Sequence, residues 1–286
     1  MLNLETRTLR LSLDPSRAAW SLSHLNHPDY GFTHAHLYLR YQLRRQQRIE
    51  LNTWSGYIVH GPESCVTPLG NSQALRLASP TAASGLSIEV VFALPESVPC
   101  LLWKIKFHNQ HSEPFNIEQI ELIAGHPATS IQFGTDHPPA RNDLAFFSNG
   151  WQSWSYTAAY GAQDRYQRTR LSLLHAPMQA NAGTPQPRQP GHFGSDMYGV
   201  LGSRSSRRAW LAGFLSQTQH FGSLEACLKD TPPALRLWAN GDHTRLDPGM
   251  SMETDWACLF PIHIDEPDPL GAYVQAVALA HGYSGS

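Results

Sequence analysis

The sequence predicts an all-β fold, a large antiparallel β-sandwich that ends in a single helix. Short segments with alternating apolar and polar residues follow one another along most of the 286 residues, which is the pattern of half-buried strands. Stretches rich in Pro, Gly, Asn and Ser separate these segments, as turns between strands do. Because helical spacing is rare, the pattern favours an antiparallel sandwich over a parallel α/β sheet.

The first half of the chain shows the alternation most clearly. In residues 34–43, Leu37, Leu39 and Tyr41 are spaced two apart and predict one apolar strand face. Residues 85–94 and 101–108 predict a pair of neighbouring strands, because a short proline-containing turn joins them. The strands predicted for this half are 6–13, 34–43, 85–94, 101–108 and 115–123.

The second half continues the pattern but contains one long interruption. Residues 175–194 hold four prolines and three glycines and show no periodicity. They predict a long loop, of a kind that is often functional in compact domains. The strands predicted around it are 143–156, 197–202, 209–216, 235–238 and 254–260.

The carboxyl-terminal segment predicts an amphipathic helix. Asp268 provides an N-cap, Pro269 suits the first helical position, and Gly282 ends the run. We expect residues 1–267 to form the β-domain and residues 268–286 to form a helix that links it to a further domain. The residues at helical spacing, predicted to share one face, are Leu270, Tyr273, Val274, Val277 and His281.

The charge of the chain gives no reason to expect nucleic acid or an anionic membrane as a partner. It carries 21 Lys and Arg against 23 Asp and Glu, a formal net charge of −2 at pH 7. One group of arginines is interpreted as a solvated strand end, because nucleic-acid binding needs a broader basic face. This group comprises Arg40, Arg44, Arg45 and Arg48.

Cysteine usage and the amino-terminal segment favour a cytoplasmic protein. The four cysteines are far apart and form no CxxC pair, so neither a disulfide framework nor a structural zinc site is expected. The first residues lack the apolar core and cleavage site of a signal peptide, and no apolar run approaches the ~20 residues of a membrane helix. The cysteines are Cys65, Cys100, Cys227 and Cys258.

Residues 148–156, with the sequence SNGWQSWSY, carry the most informative pattern. Asn-Gly signals a turn, and the alternation after it predicts a strand with Gln152, Trp154 and Tyr156 on one face. Aromatic rings bind the C–H faces of sugars, and amide and hydroxyl groups bind their hydroxyls, so the segment is a candidate sugar site. The alternative is that Trp151 and Trp154 are core residues of a sandwich.

The string SNGWQSWS resembles the NGWQSWS signature of family 36 glycoside hydrolases, which include α-galactosidases and raffinose-synthase-like proteins. The agreement is unbroken over eight residues that include two tryptophans. Segments 192–201, 209–225 and 246–259 and the closing helix are also similar to this family. The resemblance therefore covers residues 143 to 282.

The resemblance implies an amino-terminal β-supersandwich, followed by a catalytic (β/α)8 barrel and a small β-domain. Catalysis in the family uses two barrel carboxylates, about 5 Å apart in retaining enzymes. None of the barrel's aspartate motifs occurs in this chain, so we assign no catalytic residue and no cofactor, and we expect the chain to be inactive alone. The implied role is substrate binding or an interface at the active-site mouth, carried by Trp151, Gln152 and Trp154. The implied partners are an α-galactoside bound by the parent enzyme, the barrel domain and further copies of the chain.

Carboxylates and histidines elsewhere offer weaker candidates. Asp196 is the best placed aspartate, because it lies between the long loop and an apolar strand, and it joins the candidate residues. His34 and His36 share a strand face at a spacing that can bind metal, but no third ligand is evident, so no metal site is expected. The other aspartates, interpreted as turn caps, are Asp136, Asp143, Asp242 and Asp255.

Three functions fit these observations. The first, which we favour, is the non-catalytic sandwich of a family 36-like glycosidase, with hydrolysis and galactosyl transfer both open for the parent enzyme. The second is a stand-alone carbohydrate-binding module that uses the same aromatic segment. The third is an interaction domain for oligomerisation or for a separately encoded barrel.

Overall fold

The computed structural model describes residues 2–43, 47–51, 57–79, 85–135, 139–153, 155–167 and 180–283. Strands hold 56% of the residues and helices 6%, which confirms the all-β prediction.

The strands are numbered in chain order. The first eleven are β1 (Leu2–Glu5), β2 (Leu9–Asp14), β3 (Ala19–His24), β4 (His27–His36), β5 (Tyr38–Leu43), β6 (Gln47–Leu51), β7 (Ile58–Thr67), β8 (Gly70–Ala78), β9 (Leu86–Pro95), β10 (Leu101–Asn109) and β11 (Phe115–Ile123). The next ten are β12 (Ser130–Phe133), β13 (Leu144–Ser148), β14 (Ala158–Gly161), β15 (His192–Asp196), β16 (Tyr198–Ser203), β17 (Arg208–Phe214), β18 (Gly222–Cys227), β19 (Ala234–Leu246), β20 (Ser251–Glu253) and β21 (Ala257–His263). The helix α1 is Gly271–Ala280, and short 3-10 turns lie at Pro15–Arg17 and Arg141–Asp143.

The strands of the described residues form three antiparallel sheets. The five-stranded sheet has the order β1-β2-β3-β4-β12. The ten-stranded sheet has the order β14-β13-β16-β17-β21-β10-β9-β8-β7, with β20 added against β10. The six-stranded sheet has the order β15-β18-β19-β11-β5-β6.

The main apolar core lies between the ten-stranded sheet and the other two. Trp20 of the five-stranded sheet packs on Trp103 of the ten-stranded sheet, with ring centroids 5.4 Å apart. At the other end, Phe146 of the ten-stranded sheet stacks on Phe193 of the six-stranded sheet at 6.3 Å. All four side chains are fully buried. Burial of such large rings on both layers is the main stabilising contribution of a sandwich.

Several predicted strands are confirmed with small shifts at their ends. Segments 85–94 and 101–108 form β9 and β10, which pair with each other as predicted. The prediction of one strand over 34–43 is wrong, because β4 ends at His36 and β5 begins at Tyr38 in a different sheet. Buried Leu37 is the crossing point between the two sheets. The alternation continues across this residue, so the sequence pattern alone does not reveal the crossing.

The predicted loop 175–194 is only partly a loop. Residues 175–179 lie outside the described residues, and residues 180–191 run without strand or helix. Residues 192–194 already belong to β15, which pairs with β18. The loop prediction is therefore wrong at its end. Gly191 and Gly194, on either side of His192 and Phe193, make the short strand difficult to recognise from the sequence.

The helix α1 packs on the outer face of the ten-stranded sheet and is shorter than predicted. Tyr273 is buried there, 4.8 Å from the ring of Tyr198, and its hydroxyl donates to the carbonyl oxygen of Phe214 at 2.9 Å. The predicted Asp268 N-cap is wrong, because Leu270 is the N-cap residue and no side chain caps it. The predicted placement of Val274 with Tyr273 is also wrong, since Val274 is 61% exposed and Ala276 is buried instead.

The predicted end of the helix at Gly282 is confirmed. Gly282 has a φ of +76°, a conformation that glycine adopts without steric cost. Its amide donates to the carbonyl oxygen of Leu279, and the amide of Tyr283 donates to that of Ala278. This pair of bonds is the Schellman arrangement that satisfies the last carbonyl groups of a helix.

Candidate functional site

The motif segment leaves the sheet at Ser148, where β13 ends beside β15. The Ser148 hydroxyl donates to the carbonyl oxygen of Gly194 at 2.6 Å. The backbone amide of Asn149 donates to the Ser195 hydroxyl oxygen at 2.8 Å. These bonds join an edge region of the ten-stranded sheet to β15 of the six-stranded sheet.

Asn149 and Asp196 are joined by two further bonds. The Asn149 side-chain amide donates to the backbone carbonyl oxygen of Asp196 at 2.9 Å. The Asp196 amide donates to the carbonyl oxygen of Asn149 at 3.1 Å. An asparagine is suited to this position because its side chain offers a donor to the backbone of another strand.

The segment after Asn149 is a tight turn, so the prediction of an alternating strand over 143–156 is wrong beyond Ser148. The amide of Ser155 donates to the carbonyl oxygen of Gln152 at 2.8 Å, and the Gln152 amide donates to the Ser155 hydroxyl oxygen at 3.2 Å. A Cβ on Gly150 would lie 2.6 Å from the Ser155 Cβ, so only glycine fits there. Local side-chain hydrogen bonds from serine outcompete the strand here.

The predicted site residues of the motif have different surroundings. Trp151 is half-buried and packs edge-on against Phe221, with ring centroids 5.0 Å apart and an interplanar angle of 85°. Gln152 is exposed. Trp154 lies outside the described residues. The structure thus places one of the two tryptophans at the surface, beside an aromatic residue that is itself 50% exposed.

Asp196 is buried at the end of β15, with only 1% of its surface exposed. Its Oδ1 accepts hydrogen bonds from the Asn181 side chain at 2.5 Å, the Asn181 amide at 3.2 Å and the Thr184 hydroxyl at 2.7 Å. Its Oδ2 has no hydrogen-bond partner among the described residues. Burial raises the pKa of Asp196 to about 6, against the lowering effect of these bonds.

A polar network continues from Asp196 along the outward face of the six-stranded sheet. The hydroxyl oxygens of Thr184 and Ser223 lie 2.6 Å apart, and the Asn240 amide donates to Ser223 Oγ at 2.8 Å. The Asn240 Oδ1 in turn accepts from the Trp238 indole at 2.9 Å. Asp196 is therefore one end of a network that reaches the middle of this sheet.

The middle of that face is a groove that the sequence pattern does not predict. Arg236 donates to Glu121 at 2.7 Å and to Glu225 at 2.8 Å, and Glu121 is buried. Three adjoining cavities of about 550, 490 and 570 Å³ all border Arg236. We call this depression the sheet groove; its central side chains are Arg40, Gln119, Glu121, Glu225, Arg236 and Asn240.

The sequence carries no local signal for the sheet groove. Glu121 and Arg236 are 115 residues apart and meet only because β11 pairs with β19. The alternation in 235–238 predicts a strand that is confirmed within β19, where Arg236 and Trp238 lie opposite Leu235. It does not predict which strand provides the carboxylates.

Two of the predicted turn caps, Asp143 and Asp255, accept hydrogen bonds from turns in the structure. Burial acts to raise the pKa of Asp143, but hydrogen bonds from Ser203 and Ser205 outweigh it and lower this pKa. Asp255 likewise has a lowered pKa, because bonds from Ser216 and the 218–220 turn outweigh the effect of burial. Asp242 has a positive φ of 48° in the long strand β19, and Asp136 lies outside the described residues.

Histidine and cysteine side chains do not assemble into a metal centre within the described ranges. No group of three or more His, Cys, Asp or Glu side chains there could hold an ion. His36 lies instead against His126, with ring centroids 3.9 Å apart. The four cysteines are free thiols, and within the described ranges no helix has the length and apolarity that a bilayer crossing requires.

Comparison with solved structures identifies the fold. The chain is similar to an α-N-acetylgalactosaminidase from Bifidobacterium bifidum in complex with GalNAc, with a TM-score of 0.59 and 11% identity over 99% of this chain and 39% of that chain. It is similar to a family 36 α-galactosidase from Geobacillus stearothermophilus, with a TM-score of 0.53 and 11% identity over 96% of this chain and 42% of that chain. The expected likeness to the β-sandwich fold of family 36 enzymes is thereby confirmed.

A third solved structure shows the same fold at a similar length to this chain. It is a galactose mutarotase-like protein from Clostridium acetobutylicum, with a TM-score of 0.56 and 8% identity over 91% of this chain and 94% of that chain. The chain spans about two fifths of the length of the two glycosidases. No family model and no curated protein matches the sequence. At these identities the likeness shows the fold, and function must be argued from the residues.

Proposed function

We propose that the chain is the amino-terminal, non-catalytic β-sandwich domain of an α-galactosidase-like glycoside hydrolase that acts on α-galactosides. One observation carries the proposal: 96% of this chain matches 42% of a family 36 α-galactosidase in fold. The SNGWQSWS string supports it independently, because it resembles the signature of that family. Residues 268–286, which include α1, would then lead into a catalytic barrel.

The carboxylates support a non-catalytic role for this domain. Retaining glycosidases need one protonated and one ionised carboxyl group on either side of the scissile bond. Asp196 has the raised pKa of an acid, but it is buried and its Oδ1 is committed to Asn181 and Thr184. Glu121 and Glu225 are both ion-paired with Arg236. In the proposal, the barrel supplies both catalytic carboxyl groups.

The motif loop would form part of the active-site mouth. Trp151 and Phe221 make an aromatic pair at the surface, and Gln152 beside them is exposed. Aromatic and amide side chains together suit a sugar, and they equally suit contact with a neighbouring domain. Trp154 and Asp196 belong to the same proposed region. Trp154 would be a contact residue, and Asp196 would hold the loop in place through its bonds to Asn149.

Three apolar side chains in α1 and just after it are exposed, and in the proposal the following domain would lie near them. Val274 is 61% exposed, Leu279 37% and Tyr283 71%. A cytoplasmic location belongs to the same proposal and is supported by the four free thiols.

The proposal is tested by assaying two proteins on nitrophenyl α-galactoside and nitrophenyl α-N-acetylgalactosaminide. One is this chain alone, and the other is the chain extended by the coding sequence that follows it in the gene. We expect hydrolysis by the extended protein only. Hydrolysis by the chain alone that disappears on Asp196→Asn substitution would place the chemistry in the sandwich and overturn the proposal.

A further inference from the structure

We propose that the sheet groove is a binding site for a neutral saccharide, centred on Arg236 and separate from the motif loop. This inference does not depend on the hydrolase proposal, because it concerns binding by the chain itself.

The groove is built by register across neighbouring strands. Glu225 of β18 pairs with Arg236 of β19, and Glu121 of β11 pairs with Trp238 of β19. On the far side, Gln119 of β11 pairs with Arg40 of β5, and its Oε1 accepts a bond from Arg40 at 2.9 Å. The alternate residues of these strands face the apolar core. Four strands therefore present one continuous row of planar polar groups on the same face.

Three non-strand segments give the row its depth. Residues 124–127 and 230–233 border the first cavity, and residues 182–185 border the third. Each cavity has a volume of about 500 Å³, within the range of small-molecule sites. Solvent-facing sheets without such walls present a flat surface, so this face differs from an ordinary outer face of a sandwich.

The charge balance of the groove favours a neutral ligand. Its arginines and carboxylates are similar in number and the central ones are paired with each other, which leaves no strong field of one sign for an ion. A sugar hydroxyl donates one hydrogen bond and accepts others, so it can bind between a carboxylate and a guanidinium. The charged side chains of the groove are Arg17, Arg40, Arg236, Glu118, Glu121, Glu225 and Asp230.

The central guanidinium is held in a fixed position. The Arg236 guanidinium carbon lies 5.0 Å from the centroid of the Trp238 ring, and Trp238 is held by Asn240. The carboxylates of Glu121 and Glu225 bind the guanidinium nitrogens of Arg236. Partly buried ion pairs of this kind add little to stability, whereas preorganised donors reduce the cost of binding a ligand.

A matched control exists on the ten-stranded sheet. Arg76 also bridges two carboxylates, Glu63 and Glu89, each at 3.0 Å. This group is more exposed, with 38% of the Arg76 side chain accessible against 30% for Arg236 and 6% for its partner Glu121. It borders none of the three cavities. The two arginines therefore form the same kind of ion pairs, but only Arg236 borders the sheet groove.

The test is calorimetric titration of the full chain with galactose, melibiose, raffinose and galacturonate, at concentrations up to about 50 mM, which covers millimolar dissociation constants. We expect binding of at least one neutral sugar, weakened roughly tenfold or more by Arg236→Gln and unchanged by Arg76→Gln. Arg236→Lys, which keeps the charge and loses the planar fork, should weaken binding too and serves if Arg236→Gln does not fold.

Each other outcome overturns the inference. Absence of heat with all four sugars shows that the groove is an unoccupied outer face. Stronger binding of galacturonate than of galactose identifies an anion site. Loss of binding in Trp151→Ala with retention in the folded Arg236 variants places the sugar at the motif loop. None of these results changes the expectation for hydrolysis by the extended protein.

Discussion

The backbone amide of Asp196 and the carbonyl oxygen of Asn149 lie 3.1 Å apart, and the Asn149 side chain returns a bond of 2.9 Å to the Asp196 carbonyl oxygen. This reciprocal pair attaches the motif turn to the end of β15. It therefore links Asn149 of the motif to Asp196, where the polar network on the six-stranded sheet begins.

Asn149→Ala should loosen the motif turn. The substitution removes the Asn149 amide donor and leaves the Asp196 carbonyl without that bond, so we expect a loss of about 1 kcal/mol in the free energy of unfolding. Urea unfolding followed by tryptophan fluorescence measures this loss. Asn26→Ala, at an exposed turn, is the control and should change stability by less than about 0.5 kcal/mol. Equal losses in both variants would show that the reciprocal pair is not stabilising.

Asp196 should make the protein more stable in mild acid. Its pKa is raised to about 6 in the folded chain, above the roughly 3.9 of an unfolded aspartate. The folded state therefore holds the proton more tightly, and the resulting stability is present below pH 4 and is lost as the pH rises through 6. Asp196→Asn should remove this contribution, on the order of 3 kcal/mol between pH 4 and pH 8.

The measurement for Asp196 is the free energy of unfolding of wild type and variant at several pH values. Asp255→Asn is the opposite control, because the pKa of Asp255 is lowered and its stabilisation is lost as the pH falls. A pH profile of Asp196→Asn that is parallel to wild type would mean that Asp196 is ionised without cost in the folded chain.

Much of the fold follows from alternation, and the differences arise where tertiary contacts decide. Predicted strands such as 115–123 match their observed bounds, because alternating apolar residues fit only a half-buried strand. The crossing at Leu37 is not predicted, because the alternation of apolar residues continues unchanged from one sheet into the other. At the motif, the Ser155 hydroxyl and Gly150 select a turn over a strand. For the sheet groove, the partners of Arg236 depend on long-range pairing that local patterns do not encode.

Tyr273 rather than Val274 should anchor α1. Tyr273→Phe removes the hydroxyl that donates to the Phe214 carbonyl oxygen in a buried setting, and we expect it to cost about 1 kcal/mol. Val274→Ala changes an exposed residue and should change stability by less than about 0.5 kcal/mol. Thermal unfolding of the two variants distinguishes the faces. A larger effect at Val274 would support the helix face predicted from the sequence instead.

We expect Trp151 to contribute to catalysis by the extended protein beyond its packing contact with Phe221. Trp151→Ala removes the exposed aromatic surface at the proposed active-site mouth, and we expect kcat/KM for melibiose to fall about tenfold. Phe221→Leu also breaks the edge-on ring contact but keeps the tryptophan, so kcat/KM should stay within about twofold of wild type. Equal reductions in both variants would assign Trp151 a packing role only.

The most direct test of the central claim is kcat/KM for nitrophenyl α-galactoside, measured side by side for this chain and for the chain extended by its downstream coding sequence. We expect the chain alone to match the buffer rate. The extended protein should reach on the order of 10⁴ M⁻¹s⁻¹ or more, as enzymes commonly do. Equal activity in the two proteins would contradict a non-catalytic sandwich and would place the reacting carboxylates within these 286 residues.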